Sequence, residues 1–233
     1  MINAKDIGFV PNDPNFDNTI KLNDFLTGTE DTLYFPSGVY YFNTRPNTIG
    51  RPIEIFGAGI NNVSLVKNYD ESDLNKALLT ATQTLNLHNV AIQAYKPGGG
   101  AIRLEGLGAS ASILRDLYIT GSTSWQIPLT CISSDPLGIR SLLIDNVELF
   151  AATMQIAWLV NLRGATINLN AYPAGGVTNH IVIQGTGGYR SSNILFTSRY
   201  LETMWVYDTD NLTYTGLGST VVNQSNSSNI RIL

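Results

Sequence analysis

The chain has 233 residues, of which 43% are hydrophobic and only 14% charged, and its formal net charge is -4. The charged share is well below the typical value of about 25%, and the negative balance argues against nucleic acid or an anionic membrane surface as the main partner. The single cysteine, Cys131, excludes an internal disulfide, and no apolar run reaches the roughly 18 residues that a membrane helix needs.

Residues 1–50 are predicted to form an N-terminal cap that contains a strand, a short helix and a β-hairpin. Residues 6–10 have the apolar pattern of a short strand, and a turn-rich break follows them. The pattern becomes helical from Asp17, and Gly28 closes the helix. Two apolar runs joined by a Pro-Ser-Gly turn predict the hairpin over residues 32–42.

From residue 51 onward a four-residue unit recurs, in which a corner residue is followed by an apolar, a variable and a second apolar residue. The first positions of successive units are 27, 27, 30, 20, 27, 18 and 18 residues apart. A period of about 18–30 residues, with short strands and no helical phase, is typical of a solenoid. The predicted fold is therefore all-β, a right-handed single-stranded parallel β-helix over residues 51–233 with a short N-terminal capping helix. The eight first positions are Asn62, Asn89, Asp116, Asn146, Thr166, Asn193, Asn211 and Asn229.

The predominance of asparagine at these first positions has a structural interpretation. A corner between two strands needs a residue that tolerates left-handed backbone angles, and Asn does so better than other residues that carry a side chain. Stacked Asn side chains can also hydrogen-bond from coil to coil. The eight positions are therefore expected to form one structural column along the solenoid.

Residues 5–60 contain three short motifs that together carry a family resemblance. They are Asp6-Ile7-Gly8, the run Leu-Tyr-Phe-Pro-Ser-Gly-Val-Tyr at residues 33–40, and residues 53–59. These resemble the opening strand, the apolar-Tyr-apolar-Pro-x-Gly-x-Tyr hairpin and the first coil of the pectate-lyase-like right-handed β-helix proteins of the phage tailspike and tail-fibre type. The family's Gly-Asp-Gly-x-x-Asp-Asp-Thr segment is mostly missing, because only its final acid and Thr are kept within residues 11–19.

The resemblance implies a bacteriophage virion structural protein, such as a tail spike, fibre or decoration component. Such a protein is made in the host cytoplasm and works in the virion, where its partners are other virion proteins and a host surface polysaccharide. The last repeat unit, at residues 229–232, presents a strand edge. We therefore expect a homotrimer in which this edge stacks against another subunit, and we expect no cofactor, nucleic acid or membrane partner.

Two alternatives stay open, a glycan depolymerase of the tailspike type and a glycan-binding adhesin without turnover. A glycoside hydrolase needs two carboxylates about 5–10 Å apart. Asp208 and Asp210 form an acidic i, i+2 pair within the repeats, and Glu202 lies just before them. These three are the weak catalytic candidates, although turn capping also explains the pair, and the sequence favours a protein that is not an enzyme.

Aromatic residues in the loops form the second set of candidates. Such rings can pack a subunit interface or stack on sugar faces. An acidic loop with Asp70, Glu71 and Asp73 is read as solvated rather than as a calcium site, so no metal is expected. The aromatic candidates are Tyr95, Trp125, Tyr172, Tyr189 and Tyr200.

Overall fold

A computed structural model describes residues 1–121, 125–150, 152–172, 180–201, 203–216 and 221–233. One α-helix, α1, spans Thr19–Thr27, and two short 3-10 turns span Ala4–Ile7 and Leu107–Ala109. No helix among the described residues is long and apolar enough to cross a membrane. The strands, in chain order, are β1 (Ile2–Asn3), β2 (Thr32–Phe35), β3 (Gly38–Phe42), β4 (Ile53–Gly57), β5 (Val63–Lys67), β6 (Ala77–Ala81), β7 (Leu85–Ala94), β8 (Gly100–Glu105), β9 (Ile113–Gly121), β10 (Leu129–Ile132), β11 (Ile139–Arg140), β12 (Leu143–Leu149), β13 (Gln155–Val160), β14 (Leu162–Ala171), β15 (His180–Gln184), β16 (Ser191–Ser198), β17 (Thr203–Tyr207), β18 (Thr209–Gly216), β19 (Val221–Ser225) and β20 (Arg231–Ile232).

The strands form two parallel sheets through which the chain winds in turn. The larger sheet follows the order β1, β2, β4, β7, β9, β12, β14, β16, β18 and β20, with β3, β5 and β11 paired at its side. The smaller sheet follows the order β6, β8, β10, β13, β15, β17 and β19. Each strand therefore bonds to equivalent strands of the neighbouring coils, about 4.8 Å away. The predicted all-β parallel solenoid with a short N-terminal helix is confirmed.

The core is a continuous interior of aliphatic side chains that point inward from both sheets. In the smaller sheet, Ile102 of β8, Leu129 of β10 and Ala157 of β13 lie in one register row and are all buried. Cys131 lies two register positions further along, opposite Leu104 and Leu159, and is also buried. Burial raises the pKa of its thiol to about 12, so this cysteine is a core residue and not a reactive group.

The N-terminal region differs from the expected cap because its strands belong to the solenoid. Residues 4–7 form a 3-10 turn instead of a strand, and the first strand lies earlier, at β1. The expected hairpin over residues 32–42 is replaced by two strands that pair in parallel with the next coil, β2 with β4 and β3 with β5. The apolar residues of both strands, Leu33 and Phe35 of β2 and Tyr40 and Phe42 of β3, are buried in the core, and the turn between the strands is a corner of the first coil.

Helix α1 is fixed at both ends by polar contacts. The Asp17 carboxylate accepts a hydrogen bond from the Thr19 backbone N–H at 3.0 Å, and the Gly28 N–H bonds back to carbonyls of the last turn. Leu22 and Phe25 of the helix are buried. Arg51, which precedes β4, donates to the carbonyl oxygens of Phe25 and Leu26. A cation at the carbonyl end of a helix is electrostatically favourable, so Arg51 ties the helix to the first coils.

The corner residues form two ladders rather than the single column expected from the sequence. Asn89, Asp116 and Asn146 share one register position. Each of them has a positive φ, and the Asn146 amide donates to the Asp116 carboxylate at 2.6 Å. Asn193, Asn211 and Asn229 also have positive φ and form the second ladder. Its amides donate from Asn211 to Asn193 at 3.2 Å and from Asn229 to Asn211 at 3.0 Å.

A bulge lies between the two ladders, where β12 pairs with β14. In the pairing of β12 with β14, Ile144 lies opposite Ile167 and Val147 opposite Leu169. Two residues of β12 therefore face the single residue Asn168. On the other side of β14, Ala165 lies opposite Ile194, so the residue opposite Asn193 is Gly164, whose φ is 71°.

Two of the eight predicted corner residues do not have left-handed backbone angles. Thr166 is an exposed residue within β14, two positions after the actual corner at Gly164. Asn62 precedes β5, and its amide donates back to the Ala58 carbonyl oxygen at 3.1 Å. The six remaining positions combine a positive φ with a place in one of the two ladders.

We predict that Asn211→Ala lowers the free energy of unfolding by about 2 kcal/mol, because alanine is strained in the left-handed region and both ladder hydrogen bonds are lost. Asn211→Gly removes the same hydrogen bonds but tolerates the backbone angles, so its loss should be only about 1 kcal/mol. Urea denaturation of the three proteins tests this. Equal losses for the two variants would contradict a role of Asn211 at the corner.

Candidate functional site

A surface groove of about 440 Å³ lies where three neighbouring strands of the smaller sheet end. The register places Ala81 of β6 opposite Leu104 of β8, and Glu105 of β8 opposite Ile132 of β10. The residues at these strand ends therefore follow one another about 4.8 Å apart, across three coils. The groove is lined by Thr82, Arg103, Glu105, Gly106, Gly108, Ile132 and Ser134.

An arginine and a glutamate supply the charges of this groove. Arg103 and Glu105 lie two residues apart on β8 and so point to the same face. The Arg103 side chain is only 6% exposed, whereas that of Glu105 is 41% exposed. Nε and Nη2 of Arg103 both donate to Oε1 of Glu105, at 3.1 and 2.8 Å. The other terminal nitrogen, Nη1, is buried without a hydrogen-bond partner.

Two glycines keep the wall of the groove low. Gly106 has a φ of 77°, which is a strained value for residues with a side chain. A Cβ atom at Gly108 would lie 2.3 Å from the carbonyl oxygen of Thr82. The backbone of one coil therefore lies directly against the next coil here, and the space above stays open.

Asp208 and Asp210, two of the three carboxylates that the sequence suggests as weak catalytic candidates, are both engaged in contacts within the protein. Nε and Nη2 of Arg190 donate to the two carboxylate oxygens of Asp210, at 2.5 and 2.9 Å. This contact with Arg190 lowers the pKa of Asp210, which is the opposite of what a general acid needs. Asp208 has a positive φ and accepts a hydrogen bond from the Asn226 amide. Glu202 lies outside the described residues.

Two of the five aromatic candidates belong to a stack of four rings that runs along the solenoid. Phe150 and Tyr172 have centroids 4.4 Å apart and lie 6° from parallel, and Tyr172 and Tyr200 are 5.0 Å apart at 20°. Tyr118 continues the stack beyond Phe150, at 5.1 Å. Ring faces turned toward each other are closed to sugars, so the stack mainly presents ring edges.

The other three aromatic candidates lie apart from that stack. Trp125 is 0% exposed and donates its indole N–H to the Thr120 carbonyl oxygen, so it can contact neither a partner nor a glycan from the surface. Tyr95 is exposed and packs edge-on against Tyr41. Tyr189 is partly buried on the turn between β15 and β16. The structure thus does not bring the five rings together into one surface.

Lys67 is a buried cation that sequence reasoning missed. Its ammonium nitrogen donates to the carbonyl oxygens of Tyr69, Lys96 and Pro97, at 2.7, 2.8 and 3.1 Å. It also lies 5.8 Å from the centre of the Trp125 ring. Burial lowers its pKa to about 8. Three acceptors match three N–H donors, so Lys67 is a structural tie between β5 and the loop after β7.

The acidic loop is also held by structural contacts. Glu71 forms an ion pair with Arg45 at 2.8 Å and accepts a hydrogen bond from the Asp73 backbone N–H at 3.0 Å. Asp73 in turn accepts from the Asn75 backbone N–H at 2.8 Å. Within the described residues, no group of three or more His, Cys, Asp or Glu side chains is arranged to hold a metal ion.

The signal that marks the groove in the sequence is short. Arg103 and Glu105 interrupt an apolar strand, and Gly106 follows them at once. Lys67 likewise ends an apolar strand. A charged residue within an apolar strand indicates a buried partner, but the sequence does not say whether that partner lies in the same coil or in the next one.

No protein-family model matches the chain, and no curated protein sequence is significantly similar to it. Several solved structures show distant structural similarity. The Agl-KA catalytic domain has 14% identity and a TM-score of 0.47, over 99% of this chain and 54% of that one. ORF18 of Geobacillus virus E2 has 11% identity and a TM-score of 0.37, over 98% and 61%. Tailspike protein 3 of bacteriophage CBA120 has 12% identity and a TM-score of 0.34, over 100% and 57%. The chain thus spans less than two thirds of the length of these structures.

We predict that Lys67→Met lowers the free energy of unfolding by about 3 kcal/mol at pH 7, because three carbonyl groups lose their donor. The exposed neighbour Lys96 provides the control, and Lys96→Met should change the stability by less than about 0.5 kcal/mol. Guanidinium denaturation measures both effects. A loss for Lys67→Met as small as that of the control would contradict the structural role.

A comparison of wild type with Lys67→Met also tests the lowered pKa of Lys67. Above pH 8 the folded chain has released the Lys67 proton, whereas the unfolded chain keeps it up to about its ordinary pKa of 10.5. The unfolded state then binds more protons, so this lysine makes the free energy of unfolding rise with pH in that window. The difference between wild type and Lys67→Met should therefore be larger at about pH 9.5 than at pH 7. A difference that shrinks would contradict the lowered pKa.

Proposed function

We propose that this chain is a structural protein of a bacteriophage virion, in the class of tail spikes, fibres and decoration components, and that it contacts a glycan of the host surface without cleaving it. It is made in the host cytoplasm and incorporated into the particle. Its partners are further copies of itself, other virion proteins and the host polysaccharide.

The observation that carries the glycan contact is the groove at the ends of β6, β8 and β10. The groove is open to solvent, spans three coils and combines a donor group with an exposed carboxylate. Saccharides are recognised through such a mixture of donors and acceptors, because each hydroxyl group can both donate and accept. A rigid solenoid also holds these groups in place before binding, which reduces the entropy lost on association.

The case against turnover rests on the acids within the repeats. Asp210 is held by Arg190 with a lowered pKa, and Asp208 occupies a corner where it pairs with Asn226. A glycoside hydrolase of the usual type needs one carboxylic acid with a raised pKa next to a second carboxylate. The support for a virion origin is the N-terminal resemblance, above all the motif at residues 33–40.

A panel of purified bacterial capsular polysaccharides and lipopolysaccharides tests this function. We expect at least one of them to bind in a pull-down or by biolayer interferometry, with no shortening of the glycan on size-exclusion chromatography. Shortened glycan would instead indicate a depolymerase. In that case Asp208→Asn and Asp210→Asn would show whether these acids take part. If no glycan of the panel binds, this result would contradict the proposed contact with a host glycan.

The expected homotrimer is tested separately. Light scattering coupled to size-exclusion chromatography at about 10 micromolar should give a mass near three times the 25.4 kDa of one chain. A stable monomer at this concentration would contradict the trimer but not the contact with glycan, because the groove is formed by a single chain.

A further inference from the structure

The guanidinium group of Arg103 has fewer hydrogen bonds than its burial requires. Both of its bonds to Glu105 end on the same oxygen, Oε1, and Nη1 has no partner. A buried cation with unsatisfied donors is costly, because its N–H groups give up their hydrogen bonds to water and gain no partner in the protein. The chain keeps this arrangement in the wall of an open groove, which indicates a site that receives its missing acceptor from outside.

The Glu105 side chain provides the complementary group. It is 41% exposed, and its second oxygen, Oε2, accepts no hydrogen bond from the described residues. A ligand that fits both groups must accept from a guanidinium and donate to the neighbouring carboxylate. Adjacent hydroxyl groups on a sugar ring do both.

An acidic ligand fits this groove less well. Among the described residues that line the groove, only Arg103 and Glu105 are charged, and their charges compensate each other. The carboxylate of a uronate would lie near the exposed Glu105 carboxylate, and like charges at short distance repel. The net charge of -4 adds to this repulsion at longer range. The remaining polar lining residues, Thr82 and Ser134, are neutral hydroxyl groups that suit an uncharged partner.

We infer that this groove binds a neutral saccharide through a pair of adjacent hydroxyl groups, one of which accepts from Arg103 while the other donates to Glu105. The inference rests on the proposed contact with glycan and assigns it to one place on the molecule. Nη1 is shielded from bulk water, so binding includes a small outward shift of the guanidinium group into the space that the low glycine wall leaves open.

The test uses the full chain with defined oligosaccharides. Maltoheptaose and a mannan oligosaccharide serve as neutral probes, and an oligogalacturonate serves as the acidic one. Hydrogen–deuterium exchange followed by mass spectrometry maps binding, and we expect protection of the segment 103–110 by at least one neutral probe. Glu105→Gln should weaken binding at least tenfold. Asp145→Asn, which changes the exposed Arg115–Asp145 pair of the larger sheet, should alter it less than twofold.

Each outcome separates this inference from the proposed function. Binding of host glycan with protection elsewhere on the chain overturns the groove assignment and leaves the proposed function standing. Stronger binding of oligogalacturonate than of the neutral probes overturns the assignment of the ligand class. Glu105→Gln removes the negative charge that compensates the buried Arg103. If this variant does not fold, the wild-type exchange map decides alone, and absence of protection at 103–110 by every neutral probe overturns the inference.

Discussion

The backbone hydrogen bonds between neighbouring coils are the constraint on which the rest of the structure depends. Every parallel strand must find partners about 4.8 Å above and below it, so each coil has to return to the same register as the last one. That requirement selects residues with left-handed angles at the corners, and it explains the Asn side chains that bond from coil to coil, as from Asn229 to Asn211 and on to Asn193. It also fixes the spacing of every surface feature, including the four-ring stack and the groove at the ends of β6, β8 and β10.

The overall fold could be predicted from the sequence because the repeat is a direct record of this constraint. The register could not. The unit Thr166-Ile167-Asn168-Leu169 satisfies the same alternation as the units around it, although the corner of that coil is Gly164. Side chains of a strand alternate with period two, so a unit can slide by two residues without moving any apolar side chain to the outside. Pattern alone therefore cannot distinguish a corner from a position two residues later.

The candidate site was hidden from sequence reasoning for a related reason. Thr82, Glu105 and Ile132 meet only because their strands end in neighbouring coils, and the loops between them are of different lengths. The aromatic candidates were expected to share one surface, but they lie in different places. Trp125 is buried beside Lys67, while Tyr172 and Tyr200 lie in a stack of rings. The side-chain chemistry was visible in each case. The strand register, which decides which residues become neighbours, could not be predicted from the sequence.

The bulge at Asp145 and Asn146 has a consequence for how such a molecule can change over time. β12 takes up one extra residue against β14, and the Asn corners of the N-terminal coils and those of the C-terminal coils lie at separate register positions. An insertion in a loop of the earlier coils, such as the one before β10, therefore need not shift the pairing of β16, β18 and β20. The two halves of the solenoid can therefore acquire loop insertions independently of each other, while the paired strands keep their register.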